Sequence, residues 1–294
     1  MKFGLTFMNL GECSYPLTAA RIATLAEALG FDSLWVVEHV VLPDPRRPPS
    51  PLVPHTRILD PLVALTYLAT QTSQILLGTG IIILPQRNPL VLAKQLASLD
   101  IISDGRLIFG LGVGYLEPEF RALGIPFANR GARVEEYLSA IQTIWNEEHP
   151  AYHGQYVSFA DIQAQPQPQR RVPIVIGGES PAVYRRVIER ANGWYGFGLD
   201  LDGAAHAIAE LHKAAQRYSR PLALGELEIS ITPTGPLNRE TVARFADLGV
   251  HRLILCPSAR RQRDLPYEET NETAITEFVT RVGETLVRPE HRIS

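Results

Sequence analysis

The chain alternates short β-rich segments with longer helical segments from one end to the other. Eight segments are strand-like: residues 2–8, 33–38, 75–80, 106–112, 173–177, 193–198, 226–232 and 252–256. Helical patterns follow them at residues 18–29, 61–72, 89–103, 133–147, 182–191, 204–218, 239–247 and 271–286. Eight strands that are each followed by a helix match a (β/α)8 TIM barrel, whereas a doubly wound sheet, the main alternative, has fewer strands. We therefore expect an α/β fold with a single barrel domain over residues 1–294.

Composition narrows the class of protein. The 294 residues include 28 basic and 31 acidic side chains, which is not the basic excess of a nucleic-acid binder. The longest apolar stretch, residues 75–84, is too short to cross a bilayer, and the amino terminus lacks the features of a secretory signal. With only Cys13 and Cys256, neither a disulfide framework nor a C-x-x-C site can form. We expect a cytoplasmic protein that acts on a small molecule.

Two loops stand out from the regular alternation. Residues 43–54 follow the second strand and contain six prolines. Because loops after the strands lie on the catalytic face of a barrel, this segment is a candidate lid. Residues 151–159 resemble a small hairpin inserted before the fifth strand. The chain carries no H-E-x-x-H pattern, so we expect no zinc site.

Functional groups of a barrel come from the carboxyl ends of its strands. The second strand ends in Glu38 and His39, and a histidine there can donate or accept a proton near neutral pH. The alternative is a core strand that ends in two solvated polar residues. The third strand contains Gly78 and Gly80, which predict a bulge. That bulge either serves only to close the barrel or forms a backbone shelf for a flat ring.

Glycines also follow the fourth and fifth strands. Gly112 and Gly114 leave room for a ligand, but their spacing does not match the G-x-G-x-x-G pattern of nicotinamide dinucleotide binding. After the fifth strand, Gly177-Gly178-Glu179-Ser180 opens directly into a helix. Its backbone N–H groups can bind a phosphate, although Ser180 and the proline after it also fit a simple helix cap.

The same positions carry a family resemblance. The matching segments are GFDSLW (30–35) with Glu38-His39, DPL (60–62), LGTG (77–80), PQRNP (85–89), AKQLASLD (93–100), SDGRL (103–107), GVGY (112–115), IGGES (176–180) and NGW (192–194). In this order they resemble the luciferase-like monooxygenase superfamily. The similarity is greatest to the branch of oxidoreductases that use the deazaflavin coenzyme F420. The last third of the chain resembles the family less.

The resemblance implies a barrel enzyme, commonly a homodimer, that holds its cofactor ring at the mouth. It places a non-proline cis peptide at Gly80–Ile81, behind the ring. It matches His39 to the histidine near the reactive ring edge in related deazaflavin dehydrogenases. We therefore expect His39 to be the proton donor or acceptor, with Glu38 orienting it. Related deazaflavin dehydrogenases carry a carboxylate where Tyr115 stands here, so their sugar-phosphate chemistry is not carried over.

The resemblance also assigns the cofactor-binding residues and the reaction. These residues are Gly80, Ile81, Gly112, Gly114, Tyr115, Gly177, Gly178, Glu179 and Ser180. We expect hydride transfer between F420 and a small organic substrate. The alternatives are an FMN-dependent monooxygenase on the same scaffold and a flavin-binding barrel without catalysis. Arginines at residues 260–263 are candidates for contact with the anionic tail of F420.

The two cysteines give a test of the strand order. Cys13 follows the first strand and Cys256 ends the last one. Because the first and last strands of a closed barrel are neighbours, we expect both cysteines on the catalytic face.

Overall fold

Parallel strands form a barrel that is wrapped by helices in the computed structural model, which describes residues 1–257 and 270–288. The strands are β1 Lys2–Leu5, β2 Ser33–Val36, β3 Leu76–Thr79, β4 Ile82–Ile83, β5 Leu107–Gly112, β6 Tyr152–His153, β7 Ser158–Phe159, β8 Ile174–Gly177, β9 Gly193–Leu199, β10 Glu228–Pro233 and β11 Arg252–Leu255. The α-helices are α1 Pro16–Ala28, α2 Pro61–Gln71, α3 Pro89–Ile102, α4 Glu117–Ala122, α5 Arg130–Asn146, α6 Pro181–Arg190, α7 Leu201–Arg217, α8 Arg239–Asp247 and α9 Glu272–Val282.

The barrel closes as the sequence predicts. Its order is β3-β2-β1-β11-β10-β9-β8-β5-β4, and β3 also pairs with β5, so β3 and β4 together make one of eight barrel strands. All of these pairings are parallel. The predicted hairpin before the fifth barrel strand is confirmed, because β6 and β7 pair antiparallel. Two short elements, β4 and α4, are absent from the sequence prediction.

The helices begin where the sequence provides caps and prolines. Pro61, Pro89 and Pro181 each stand at the first position of a helix, where a missing N–H costs nothing. Before α2, Asp60 accepts hydrogen bonds from two backbone N–H groups of the first turn, and Ser180 caps α6 through the N–H of its third residue. These caps fix how the loops at the carboxyl ends of the strands turn into the helices.

Large side chains fill the inside of the barrel. Trp35, Ile108, Val175, Tyr195 and Ile254 are buried and form one cluster. The rings of the tryptophan and the tyrosine lie 5.7 Å apart, centroid to centroid. A separate and much larger core packs the outer faces of the strands against the helices. The barrel is thus a solid core, as such barrels generally are.

A charged cluster lies below this layer, at the amino ends of the strands. The guanidinium of Arg252 donates to Asp32 Oδ2 at 2.9 Å and forms an ion pair with Glu228. It also donates to Ser230 Oγ at 3.3 Å, while Lys2 Nζ lies 2.6 Å from the second oxygen of Glu228. Arg252 is 1% exposed. Because these two layers fill the barrel from below, a ligand site belongs at the opposite, carboxyl end.

The described residues contain no helix that is both long and apolar enough for a membrane span. Within the same residues, no group of three or more histidine, cysteine or acidic side chains is arranged to hold a metal ion.

Candidate functional site

His39 lies just beyond the carboxyl end of β2 and pairs with a carboxylate from α4. Its Nδ1 is 3.1 Å from Glu119 Oε2. The other oxygen of Glu119 accepts a hydrogen bond of 2.6 Å from the backbone N–H of Val40. The side chain of His39 is 8% exposed, and that of Glu119 is fully buried. The ring is therefore held in place from one side by a group that solvent does not reach.

The opposite ring nitrogen of His39 lies beside Tyr115. The hydroxyl of Tyr115 is 3.4 Å from His39 Nε2, and the two rings meet edge to face at 6.0 Å. Tyr115 is half exposed. The predicted site residues His39 and Tyr115 thus come together, and Nε2 is the ring atom nearer to the exposed side of the pair.

Glu38 does not orient His39, contrary to the sequence prediction. Its carboxylate accepts a hydrogen bond of 2.5 Å from the N–H of Ile83 and one of 2.7 Å from Arg87 Nε. Consecutive residues of an extended strand point to opposite faces, so Glu38 faces the helices while His39 faces the mouth. Burial raises the pKa of Glu38, with Arg87 opposing that shift. Glu38 thus joins the segment after β2 to β4 and to Arg87 beyond it.

The third barrel strand is interrupted at Gly80–Ile81, where the expected cis peptide bond is present. The interruption lies directly above the filled centre of the barrel. A Cβ at Gly80 would be 3.2 Å from the side chains of both Trp35 and Tyr195. A side chain there would press on both aromatic rings, so this position favours glycine.

Ile81 occupies the space that two predicted site glycines leave. A Cβ at Gly112 would lie 2.6 Å from Ile81 Cδ1, and one at Gly177 would lie 3.0 Å from Ile81 Cγ2. Gly112 therefore makes room for Ile81 rather than directly for a ring, which corrects the sequence prediction. The half-buried Ile81 spans from β5 to β8 and forms an apolar floor at the mouth.

Gly114 is also filled from within the protein. Its φ of +76° lies in the left-handed region that favours glycine, and a Cβ there would meet Ile83 Cγ2 at 2.6 Å and Phe120 at 2.7 Å. The glycine lets the chain turn from β5 into α4, which carries Glu119. The prediction that Gly114 itself makes room for a ligand is wrong.

The loop after β8 retains the features expected of a phosphate cradle. Gly178 has a φ of +121°, a conformation in which any side chain would be strained. Its carbonyl accepts from Trp194 Nε1 at 2.9 Å, which fixes the loop. Ser180 caps α6, while Glu179 is exposed. Backbone donors at a helix amino terminus, with no side chain on Gly178, fit a phosphate group.

The remaining side of the mouth is apolar. Phe7, directly after β1, packs with Leu10 and with Leu52 of the proline-rich loop, and Phe197 and Cys256 join this cluster. The loop at residues 43–54 therefore packs against the mouth through Leu52, which is 5% exposed. Phe7 has a φ of +66°, which is uncommon for a residue with a side chain.

A cavity of about 1160 Å³ adjoins this apolar wall. It lies between the ends of β9, β10 and β11 and helix α9, and apolar side chains such as Leu237, Phe278 and Leu286 line it. Its size is comparable to that of pockets for small organic ligands. The mouth therefore combines a polar corner at His39 with the apolar wall around Phe7, and this cavity adjoins that wall.

The two cysteines follow the carboxyl ends of paired strands, as predicted. Leu5, the last residue of β1, lies opposite Leu255, the last residue of β11, and Cys256 directly follows Leu255. Cys13 is buried in the turn Gly11–Ser14, and burial raises the pKa of its thiol to about 12. Cys256 is half-buried within the apolar wall. The arginines at residues 260–263 lie outside the described residues.

The chain is similar in sequence to known proteins over most of its length. The family model described as luciferase-like monooxygenase matches residues 7–245. An uncharacterized protein of Mycobacterium tuberculosis is 30% identical over 266 residues, covering 86% of this chain and 91% of that protein. The F420-dependent glucose-6-phosphate dehydrogenase of Kineococcus radiotolerans is 32% identical over 193 residues, covering 63% of this chain and 55% of that enzyme.

A solved structure agrees with the fold. The monooxygenase RslO1 of Streptomyces bottropensis superposes with a TM-score of 0.72 at 21% identity, covering 98% of this chain and 99% of that one. The closed parallel barrel, the interrupted third strand and a family match over most of the length lead to one assignment. The chain belongs to the luciferase-like monooxygenase family.

Proposed function

We propose that this protein is an oxidoreductase that binds coenzyme F420 at the barrel mouth and transfers a hydride between it and a small organic substrate. The observation that carries the proposal is the buried His39–Glu119 pair, whose ring atom Nε2 faces Tyr115 beside the Gly80–Ile81 bulge. The Kineococcus relative, an F420-dependent glucose-6-phosphate dehydrogenase, supports the choice of cofactor.

The residues that would hold the cofactor come from three strands. Ile81, on its bulge, would lie under the ring, and the loop of Gly177, Gly178 and Ser180 would bind the phosphate through backbone N–H groups. When bound, the deazaflavin supplies hydride chemistry, because the carbon at its central ring position makes it a poorer activator of oxygen than a flavin.

The chain itself would supply the proton and the orientation. In the oxidation of an alcohol, His39 Nε2 would take the hydroxyl proton while the hydride leaves the adjoining carbon for the cofactor. In the reverse direction, the ring would first take up a proton from solvent at Nε2 and then give it to the substrate oxygen as the hydride arrives. The hydroxyl of Tyr115, 3.4 Å from Nε2, would hold that oxygen by a hydrogen bond. The apolar flank of Phe7, Phe197 and Leu52 would exclude water and accept the carbon skeleton of the substrate.

Equilibrium titration of the protein with F420 and, separately, with FMN tests this proposal. We expect F420 to bind at least about tenfold more tightly, a difference of ~1.4 kcal/mol. Reduced F420 is then offered with a panel that includes cyclohexanone, cyclohex-2-enone and benzaldehyde, and its oxidation is followed by absorbance. Equal or tighter binding of FMN, with oxygen uptake on reduction, would favour the monooxygenase alternative. Binding of F420 without turnover of any substrate would favour the non-catalytic one.

A further inference from the structure

Glu119 reaches the mouth from a short helix that is anchored without it. In α4, the neighbouring Phe120 is fully buried and stacks edge to face on Phe127 at 5.3 Å. Leu116, which precedes the helix, is 1% exposed. These apolar contacts hold α4 against the barrel. Its buried carboxylate is therefore not required to attach the helix, and burying a charge without a specific partner is costly.

Both oxygens of Glu119 have defined partners at the end of β2. One accepts from the N–H of Val40, which can only donate. The other faces His39 Nδ1 at 3.1 Å, although the two residues are 80 positions apart in the sequence. Because an ionised carboxylate only accepts hydrogen bonds, this contact points to a neutral ring whose proton is on Nδ1. Nε2 is then left with its lone pair toward Tyr115.

The neighbouring carboxylate of Glu38 provides a contrast. Glu38 is paired with the guanidinium of Arg87, which is the usual way to hold a buried charge. In the described part of the chain, Glu119 has no such cation, and its side-chain partners are the imidazole and one backbone N–H. A glutamate that served only to tie β2 to α4 would not need to face the ring.

We propose that Glu119 is the positioning residue of this site. It fixes the orientation and the tautomer of His39, so that Nε2 is the atom that exchanges a proton with the substrate. The inference about proton exchange rests on the proposed function, whereas the assignment of the tautomer does not.

The substitution Glu119→Gln tests the assignment with little change in shape. Its carboxamide oxygen can still accept from Val40 N–H, but its NH2 group would then face His39 Nδ1 and donate to it. The ring proton should therefore move to Nε2. Nuclear magnetic resonance of protein with 15N-labelled histidine rings reports this directly, because a protonated and an unprotonated ring nitrogen have well separated shifts. The His39 signals are identified by their absence from His39→Asn.

We expect the free parent protein to carry the His39 proton on Nδ1 and the Glu119→Gln variant to carry it on Nε2. With the panel compound that the parent turns over fastest, kcat should fall roughly 100- to 1000-fold in the variant, within the range of a positioned acid or base. KM and the F420 dissociation constant should stay within about twofold. Glu117→Gln, which removes an exposed carboxylate from the same helix, is the matched control and should change neither measurement.

The outcomes separate the two proposals. An Nε2–H tautomer in the parent, or an identical tautomer in parent and variant, would overturn the role of Glu119, and the parent spectrum alone decides this if the variant does not fold. A tautomer change with unaltered kcat would overturn the link to proton exchange. The expected tautomers in a protein that neither binds nor oxidises reduced F420 would instead contradict the proposed function and leave Glu119 as the residue that positions the ring.

Discussion

The two ring nitrogens of His39 have different contacts, Nδ1 with Glu119 and Nε2 with Tyr115, and one substitution can separate their roles. In His39→Asn, the side-chain NH2 can still donate to Glu119, but nothing replaces Nε2. Turnover should fall about 10²- to 10⁴-fold, the usual contribution of a positioned acid or base, while the F420 dissociation constant changes little. Single-turnover oxidation of reduced F420 and equilibrium binding, measured on the same variant, check this. The control is His206→Asn, which replaces an exposed histidine of α7 and should change neither measurement. Weak cofactor binding with normal chemistry at saturation would contradict a role in proton transfer.

The sequence predicted His39 but not its partner, for reasons that lie in the packing. Glu117 and Glu119 stand two positions apart on α4, and such residues face different sides of a helix. Only the burial of Phe120 and Leu116 decides which glutamate turns inward, and α4 is too short to show a helical period. The error at Glu38 was avoidable, since alternation along an extended strand already directs Glu38 and His39 to opposite faces.

The amino terminus of α6 gives a test at the level of an element. Gly178 is a poor site for substitution, because its φ of +121° strains any side chain. Ser180 is better, since aspartate and asparagine are both good helix caps. We expect Ser180→Asp to weaken F420 binding about tenfold or more relative to Ser180→Asn, because a carboxylate repels the phosphate.

Calorimetric titration of both Ser180 variants measures this difference, and circular dichroism confirms that each retains its helices. Asparagine is the matched control because it changes shape and capping in the same way but adds no charge. Equal affinities of the two variants for F420 would contradict the assignment of the phosphate site to this loop.

Elements differ in how well local patterns predict them. The third barrel strand was expected to bulge at Gly80, and it does, but its continuation as β4 is only two residues long and carries no period of its own. Gly112 and Gly114 were assigned to a ligand because the sequence shows that both positions lack a side chain. The sequence does not show which other residues fill that space, and the structure shows that Ile81 and Phe120 do.

On the scale of the whole molecule, the charged cluster below the barrel should control stability in acid. Burial raises the pKa of Glu228, but Arg252 and Lys2 lower it more, so its pKa in the folded state lies below the ordinary value of 4.5. The stabilisation is therefore present above pH 4.5 and is lost as the pH falls through the folded-state pKa. Removing Arg252 leaves Glu228 and Asp32 without their cation.

We expect Arg252→Met to lower the free energy of unfolding by ~3–5 kcal/mol at neutral pH. In the variant, the free energy of unfolding should also fall less steeply as the pH is lowered. Urea denaturation between pH 7 and pH 3 measures both effects, with ~1.4 kcal/mol corresponding to each tenfold change in the unfolding constant. Arg21→Met is the control, because Arg21 pairs with Glu272 at the exposed surface and should matter much less. An unchanged acid profile in Arg252→Met would contradict this account.

The filled lower barrel also has a consequence for the timing of events at the mouth. Trp35 and Arg252 occupy the interior beneath Ile81, so nothing passes through the barrel from below. A molecule that lies on the Ile81 floor would be covered by whatever binds above it. The molecule on the Ile81 floor would then bind first and leave last. Steady-state kinetics would therefore show a compulsory order, in which the lower molecule leaves only after the molecule above it has dissociated.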